Sequence, residues 1–307
     1  MSRYVIKRIL ISIPVILGVS LIIFLMLNVV PGDPVTLMMG EKIKPELIEM
    51  FRERMRLDDP VMVRYFTYIK NALHGDFGVS YKLNREISDL IMIAFPHTIK
   101  LTIYAALVAW LIGIPAGIIS AVKQNTIIDR LFMGFSLLGV SMPVFLAGLL
   151  MQYVFAYKLK LLPVTGYASF RYFIMPAIVL GWSSAGTIAR LVRSNLLEIL
   201  KNDFIRTARA KGLKESAIIV GHAMKNAMLP VVTMMAIQVS GLLGGAVMTE
   251  SIFGIPGIGR VCFDAIGARD MPLLQGSVLF MTIIVIIGNL IADLMYSFLD
   301  PRIRISK

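Results

Sequence analysis

The chain of 307 residues is unusually apolar: 57% of its residues are hydrophobic, 16% are charged, and the formal net charge is +12. Soluble domains have about 45–50% apolar and ~25% charged residues, so this composition excludes an ordinary soluble protein. The basic residues lie beside apolar segments and have no aromatic stacking platform, which argues against nucleic acid as a partner. With Cys262 as the single cysteine, neither an intramolecular disulfide nor a cysteine-based metal site is expected.

Six apolar segments are predicted to be membrane-spanning helices, because each is free of Asp, Glu, Lys and Arg over about 18 residues or more. They are 9–30, 101–122, 131–157, 172–189, 229–249 and 273–292. The first is longer than the apolar core of about 7–15 residues in a cleaved signal peptide, so we interpret it as an uncleaved anchor. Pro115 and Pro143 are predicted to kink the second and third spans.

Lys and Arg are concentrated in the connections on one side of these spans, which by the positive-inside rule is the cytoplasmic side. Both termini then lie in the cytoplasm. The predicted fold is an all-α membrane protein with six transmembrane helices, N-in and C-in. The predicted organisation is an anchor helix at 1–30, an extracytoplasmic cap at 31–95, a five-helix core at 96–299 with a cytoplasmic loop at about 198–228, and a cytoplasmic tail at 300–307.

The cap is predicted to be mostly helical and to lie on the outer face of the membrane. Apolar residues recur at helical spacing in two places, Leu47, Phe51 and Met55, and then Val61, Tyr65, Ile69 and Leu73. The sequence PGDP at 31–34 is expected to end the first helix, and HGDFG at 74–78 is typical of a turn.

Polar and small residues form stripes within the last two predicted spans. The fifth carries Gln238, Gly241, Gly245 and Thr249 on one helical face, and the sixth carries Gln275, Thr282 and Asn289. Polar groups at membrane depth face protein or a water-filled path. Two interpretations remain open, helix packing as at Gly113-xxx-Gly117 and Gly241-xxx-Gly245, or the lining of a translocation path. Asp293, near the inner boundary, is expected to pair with a cytoplasmic Arg.

Sequence motifs for nucleotide binding, metalloprotease and serine-hydrolase chemistry are missing: there is no G-x-x-x-x-G-K-[ST], no H-E-x-x-H and no G-x-S-x-G. The three histidines, His74, His97 and His222, fall in separate parts of the predicted topology. We therefore expect no catalytic site, no metal site and no cofactor bound by this chain. A membrane enzyme and an ATP-independent secondary transporter or channel are the rival classes. The transporter class often shows internal repeats, which we do not find.

The segment DFIRTARAKGLKE at 203–215 interrupts the apolar pattern on the predicted cytoplasmic side. Phe204, Ile205 and Ala208 share one side of a helix, and Gly212 is a natural helix terminator. One interpretation is an amphipathic helix that lies on acidic lipid headgroups. The apolar face is small, however, and the small residues favour docking into a groove of a partner protein.

This segment, followed by HAMKNAMLP at 222–230, resembles the EAA loop of bacterial and archaeal ABC importer permeases. The stretches ESIFGIPGIGRVCFDAIGARDMPLLQG (250–276), DPRIR (300–304), NVVPGDP (28–34) and GDFGVSY (75–81) resemble the dipeptide/oligopeptide/nickel group, in particular the first permease of a pair. Arg206 departs from the general family, which has Glu at that position.

The resemblance implies a type I ABC importer permease in the cell (inner) membrane, in contact with lipid. The implied partners are a second homologous permease, two ABC ATPase subunits that carry ATP and Mg, and an extracytoplasmic substrate-binding protein. The implied substrates are di- or oligopeptides, with nickel complexes, glutathione and oligosaccharides as alternatives. The residues expected to couple the chain to the ATPases are Phe204, Arg206, Thr207, Ala208, Arg209 and Gly212.

The Gly- and Pro-rich sequence FGIPGIGR at 253–260 is predicted to form a re-entrant or surface turn near an outer gate. Phe253, Pro256, Gly257 and Arg260 are the candidates there for the gate and for contact with the binding protein.

Overall fold

The structure is a computed structural model that describes residues 2–29, 45–54 and 56–299, and this part of the chain is mainly helical. The helices are α1 Ser2–Val29, α2 Pro45–Arg54, α3 Val61–Ala72, α4 Ile87–Val122, α5 Ile127–Ser141, α6 Val144–Lys158, α7 Arg171–Ile199, α8 Asp203–Ala210, α9 Glu215–Leu243, α10 Val247–Phe253, α11 Ile258–Ala268 and α12 Met271–Leu299. Two of them contain π-helical segments, Gln152–Lys158 in α6 and Ile218–Ala223 in α9. Strands β1 Val79–Ser80 and β2 Arg85–Glu86 pair antiparallel between α3 and α4.

Five described helices, α1, α4, α7, α9 and α12, are long and apolar enough to cross a membrane. Two sharply bent pairs, α5 with α6 and α10 with α11, meet the same test together, so the described residues hold five to seven candidate spans. The predicted first, second, fourth and sixth spans lie within α1, α4, α7 and α12 apart from residue 30, which lies outside the described residues.

The third predicted span is not one kinked helix. Helix α5 ends at Ser141, Met142 is extended, and α6 begins after Pro143 at an angle of 105°. A proline disfavours helical geometry at the residue before it, which explains the extended Met142. Pro115, by contrast, lies inside the continuous helix α4.

The fifth predicted span, 229–249, is also corrected. Helix α9 begins earlier, at Glu215, runs through Pro230 and ends at Leu243. The backbone at Gly245 then has a φ of +95°, a left-handed conformation that residues other than glycine rarely adopt. The next helix, α10, begins at Val247. The stripe of Gln238, Gly241, Gly245 and Thr249 therefore does not lie on one helix.

The centre of the fold is the contact between α4 and α7. A Cβ added at Gly113 would lie 2.8 Å from the carbonyl oxygen of Ala185, and one at Gly117 would lie 2.6 Å from that of Ala189. The glycines therefore allow the two backbones to approach closely, and the predicted packing role of Gly113 and Gly117 is confirmed. Gly241 has open space around it, whereas a Cβ at Gly245 would lie 3.2 Å from the Cα and the N of Gly259, so of this second pair only Gly245 packs closely within this chain.

Side-chain contacts attach α1 to the rest of the chain. Arg8 Nη1 lies 3.0 Å from Asp293 Oδ2 on α12, which confirms the predicted pairing of Asp293 with an arginine. The hydroxyl of Tyr65, on α3, donates to the carbonyl oxygen of Leu17 at 2.9 Å and lies 2.8 Å from the hydroxyl of Ser20. Helix α3 is therefore held along α1.

In the described part of the predicted cap, helices α2 and α3 are helical as predicted, and a turn at residues 73–75 overlaps the start of the predicted turn at 74–78. The β1–β2 hairpin was not predicted, since strands of two residues carry no alternating pattern. Its Ser80 hydroxyl donates to Asp270 Oδ2 at 2.5 Å, just before α12. Helix α4 is continuous across residue 95, the predicted end of the cap, so no break in the structure marks that boundary. PGDP, DPRIR and the side chains of Leu47, Phe51 and Met55 lie outside the described residues.

Candidate functional site

The short helix α8 is fixed to the rest of the chain by one face. Ile205 and Ala208 are buried in an apolar cluster that also contains Ala121 from α4, Leu196 from α7 and residues of α9. The opposite face of α8 is exposed, including Arg206 and Thr207, and the Phe204 side chain is 44% exposed. Helix α8 is therefore held by its apolar face and presents its polar face and the Phe204 ring outward.

Two features end α8 and fix its orientation to α9. Gly212 has a φ of +75°, and the N–H of Leu213 donates to the carbonyl oxygen of Ala208 at 3.4 Å, as in a helix C-terminal cap. The Arg209 guanidinium donates to both oxygens of Glu215, with Nη2–Oε1 at 2.6 Å and Nε–Oε2 at 3.1 Å. The Glu215 carboxylate raises the pKa of Arg209 above its usual value, because it stabilises the charged guanidinium.

These contacts correct one detail of the predicted coupling segment, the role of Ala208, and show two ion pairs that were not predicted from the sequence. Ala208 packs into the chain's own core, so it cannot provide close approach to a partner. Arg209 pairs with Glu215 of this chain, and Arg206 approaches Asp203 at 3.5 Å. Glu215 is visible in the sequence at the end of the segment. Its pairing with Arg209 could not be predicted, because the turn between α8 and α9 separates the two residues and helical spacing does not apply across it.

A second ion pair, not predicted from the sequence, ties the loop at residues 123–126 to α7. Asp129 Oδ1 and Oδ2 accept from Arg193 Nε and Nη2 at 2.8 and 2.7 Å, and Oδ2 also accepts from the backbone N–H of Asn125 at 2.9 Å. The Asp129 side chain is 5% exposed. Because α7 leads directly into α8, this pair connects the α4–α5 loop to the helix that precedes α8.

Helix α9 carries two of the predicted path residues, Gln238 and Gly241. Gln238 Nε2 donates to the carbonyl oxygen of Ser184 on α7 at 3.3 Å, while its buried Oε1 has no hydrogen-bond partner among the described residues. Gly241 is exposed. Gly245 and Thr249 lie beyond the end of α9, in the bend and in α10.

The other three path candidates share α12. The Thr282 hydroxyl donates to its own helix at Val278, and Asn289 is exposed. Gln275 Nε2 is buried without a hydrogen-bond partner in the described part of the chain. Helix α12 packs closely on α9, since a Cβ at Gly288 would lie 2.7 Å from the Ser240 hydroxyl. Gln238 and Gly241 therefore lie on a helix adjacent to the one that carries Gln275, Thr282 and Asn289.

The predicted gate sequence 253–260 forms the bend between α10 and α11, which meet at 84°. Phe253 and Gly257 are buried, Pro256 is half-buried, and Arg260 Nε lies 3.5 Å from Asp264 Oδ2. Ile255 at the centre of the bend is fully buried, so the alternative of a surface turn is wrong.

Metal binding has no visible basis in the part of the chain that the structure describes, which contains no group of three or more His, Cys, Asp or Glu residues able to hold an ion.

The fold and these sites define a class, a helical membrane protein with a closely packed α4–α7 centre and a short helix, α8, that is exposed on one face. Residues 113–305 match the family of binding-protein-dependent transport system inner membrane components, and residues 1–102 match the N-terminal domain of the same kind of membrane component. The chain belongs to this family, and it is an inner-membrane permease subunit of an ABC importer.

Curated relatives match over nearly the whole chain. The dipeptide transport system permease protein DppB of Alkalihalophilus pseudofirmus is 39% identical, with 99% of this chain and 100% of that protein covered. The glutathione transport system permease protein GsiC of Escherichia coli is 40% identical, with 99% of each covered. An inward-facing structure of the MetNI methionine ABC transporter superposes with a TM-score of 0.58 at 19% identity, covering 69% of this chain and 96% of that one, and it supports the fold.

Proposed function

We propose that the chain forms one half of the translocation pathway of an ATP-driven importer of di- or oligopeptides. The full-length similarity to a dipeptide permease supports this substrate class. The coupling mechanism is supported mainly by the way α8 is attached to the rest of the chain. Its buried face packs into the apolar cluster formed with α4, α7 and α9, while Phe204, Arg206 and Thr207 remain exposed. A force applied to α8 is thereby transmitted to three candidate spans at once.

The complex has a second homologous permease, two ABC ATPase subunits and an extracytoplasmic binding protein. ATP and Mg bind to the ATPases, which supply the energy through contact with α8. The membrane topology is six spans, N-in and C-in, with the bent α5–α6 pair as the third span and the α10–α11 pair as a re-entrant hairpin. Residues 31–95 form the extracytoplasmic cap.

Substrate passes beside α9 and α12. The polar path residues are few, Gln238, Gly241, Gly245, Thr249, Gln275, Thr282 and Asn289. Peptides share a constant backbone but vary in side chain, so a permissive path with few polar anchors suits them. The bend at 253–260 lies at the outer gate, where Phe253 and Gly257 are buried inside the gate, while Pro256 and Arg260 together with the cap meet the binding protein.

Glutathione is the second candidate substrate, because the glutathione permease relative is as similar as the dipeptide permease. Glutathione is itself a tripeptide derivative, so a path that accepts peptide backbones suits both. Nickel complexes and oligosaccharides are further substrates of the resembled group, and an ATP-independent transporter is the remote alternative.

The test is uptake by proteoliposomes that contain the complete complex. We expect ATP-dependent uptake of labelled dipeptide, and competition by glutathione or by a nickel complex ranks the alternative substrates. Uptake that proceeds equally without ATP would refute the importer mechanism.

A substitution tests the role of α8 in the same assay. Gly212→Val forces a β-branched residue into a left-handed conformation, so we expect the end of α8 to distort and uptake to fall while membrane insertion persists. Gly221→Ala is the control, since Gly221 is also exposed with open space but lies in α9 without a positive φ. Normal uptake by the Gly212→Val complex would refute docking through α8.

A further inference from the structure

Glu250 is a fully buried acidic residue in α10, a helix that the proposed function assigns to the gate. Its Oε1 accepts a hydrogen bond from the Thr98 hydroxyl of α4 at 2.8 Å, and its Oε2 accepts from the backbone N–H of Arg260 at 3.0 Å. The Thr98 oxygen in turn accepts from the backbone N–H of Ile258 at 2.9 Å. The carboxylate and the hydroxyl together therefore cap the first turn of α11, where a helix leaves N–H groups without partners and favours negative charge.

Two glycines make room for this carboxylate. A Cβ at Gly257 would overlap the Glu250 carboxylate, and one at Gly259 would lie 2.9 Å from Oε2. Glu250, Thr98 and the first N–H groups of α11 thus form one hydrogen-bonded group, which we call the hub, inside an otherwise apolar hairpin. Its sequence pattern is E-x6-G-x-G. A buried carboxylate is tolerated only while it keeps its donors, so the hub resists any movement of α11 away from α10 or α4.

The opposite side of the hairpin is held as well. Gln152 Nε2, on α6, donates to the carbonyl oxygens of Ile252 and Val164, both at 3.0 Å. The N–H of Gly166 donates to the carbonyl oxygen of Phe253 at 2.9 Å. The bend between α10 and α11 is therefore clamped between α4 on one side and α6 with the 159–170 loop on the other.

The junction between α9 and α10 has a different character. It consists of Gly244, Gly245 and Ala246, and Gly245 has the positive φ already described. Helix α9 packs on α4 and α7 through buried residues such as Ala227 and Val231, but most of its residues are not buried within this chain, and it is joined to α8 by the Arg209–Glu215 pair. Movement of α8 and α9 can therefore be taken up at Gly245 without breaking the hydrogen bonds of Glu250.

We propose that Glu250 is a positioning residue that makes α10, α11 and the Thr98 end of α4 one rigid gate element, and that α9 moves against this element about Gly245. The proposal rests on the proposed function, because the movement that it describes is driven by the ATPases. It assigns Glu250 no contact with substrate. It predicts that distances within the gate element are constant during the transport cycle, whereas distances from α9 to the gate element change.

The experiment uses spin labels in the complete complex, in a Cys262→Ala background. Labels at the exposed positions Ile103 on α4 and Phe263 on α11 report on the gate element, and labels at Ile237 on α9 and Phe263 report on the hinge. Electron–electron double resonance compares the nucleotide-free and ATP-bound complexes. We expect the first distance to stay constant and the second to change.

Glu250→Gln tests the hub. Each carboxylate oxygen of Glu250 accepts a hydrogen bond, whereas the NH2 group of a glutamine side chain cannot accept one. We expect the Ile103–Phe263 distance distribution to broaden and transport to fall about tenfold or more, as losing a buried hydrogen bond to a charged group implies. The matched control is Ser251→Ala at the next position, since the buried Ser251 hydroxyl has no hydrogen-bond partner among the described residues. That control should leave both readouts unchanged.

If Glu250→Gln does not fold, Thr98→Val removes the bridging hydroxyl and Thr98→Ser restores it. Recovery of the narrow distribution with Thr98→Ser alone supports the hub. A wild-type Ile103–Phe263 distance that changes with nucleotide would overturn the rigid gate element, as would a folded Glu250→Gln complex with wild-type transport and a narrow distribution. Absence of ATP-driven transport by the wild-type complex would instead overturn the proposed function, and the gate with it.

Discussion

The contact between α4 and α7 makes a quantitative prediction at Gly117. In Gly117→Ala, the new Cβ would lie 2.6 Å from the Ala189 carbonyl oxygen and 2.6 Å from Val192 Cβ. Backbone atoms cannot move aside as a flexible side chain can, so the two helices must separate. Overpacking of this kind costs about 1–3 kcal/mol in the free energy of unfolding. A Gly→Ala change inside a helix otherwise contributes about 0.5–1 kcal/mol, which offsets only part of that cost.

Gly134→Ala is the matched control for this prediction. Gly134 lies inside α5, and a Cβ there would meet no atom within 4 Å. The control therefore keeps the helix-propensity gain without the clash, and we expect it to be as stable as the wild type or slightly more so.

The assay is thermal unfolding of the purified subunit in detergent. A loss of 1 kcal/mol lowers Tm by roughly 2–4 °C in a chain of about this size, so Gly117→Ala should melt several degrees below Gly134→Ala. Transport should fall as well, since α7 leads into α8, the helix that we propose docks on the ATPase. A Gly117→Ala protein that melts at or above the temperature of Gly134→Ala would refute the inferred close contact.

Three other contacts give predictions. Arg193→Ala should destabilise the protein by about 1–3 kcal/mol, because the Asp129 carboxylate loses two charged hydrogen bonds, and the charge-swapped double variant should recover part of the loss in a chemical unfolding titration. Tyr65→Phe should cost about 1–2 kcal/mol and increase proteolysis of α3, since the lost hydroxyl bonds to α1; unchanged protection would contradict this packing. Asp293→Asn should cost at most about 1 kcal/mol, with an effect that disappears in high salt, because its pair with Arg8 is partly exposed.

The coupling segment shows how far sequence patterns reach. Apolar Ile205 and Ala208 at helical spacing and the terminating Gly212 predicted a short helix with one packed face, and α8 has those features. The prediction that Ala208 faces a partner protein is wrong, because small residues suit internal packing and external docking equally well and the sequence does not distinguish the two. Only the positions of Leu196 on α7 and the residues of α9 reveal that Ala208 points inward.

Hydropathy is a local property, so the sequence by itself determined the membrane class, the helical character and the positions of most long apolar helices. The family followed from local motifs as well. Tertiary structure alone decided the 105° break after Ser141, the burial of the 253–260 bend and the pairing of polar groups. The predicted fifth span ended one residue before Glu250, whose partner Thr98 lies 152 positions away in the chain. Such pairs depend on which helices become neighbours, and no local pattern of residues specifies that.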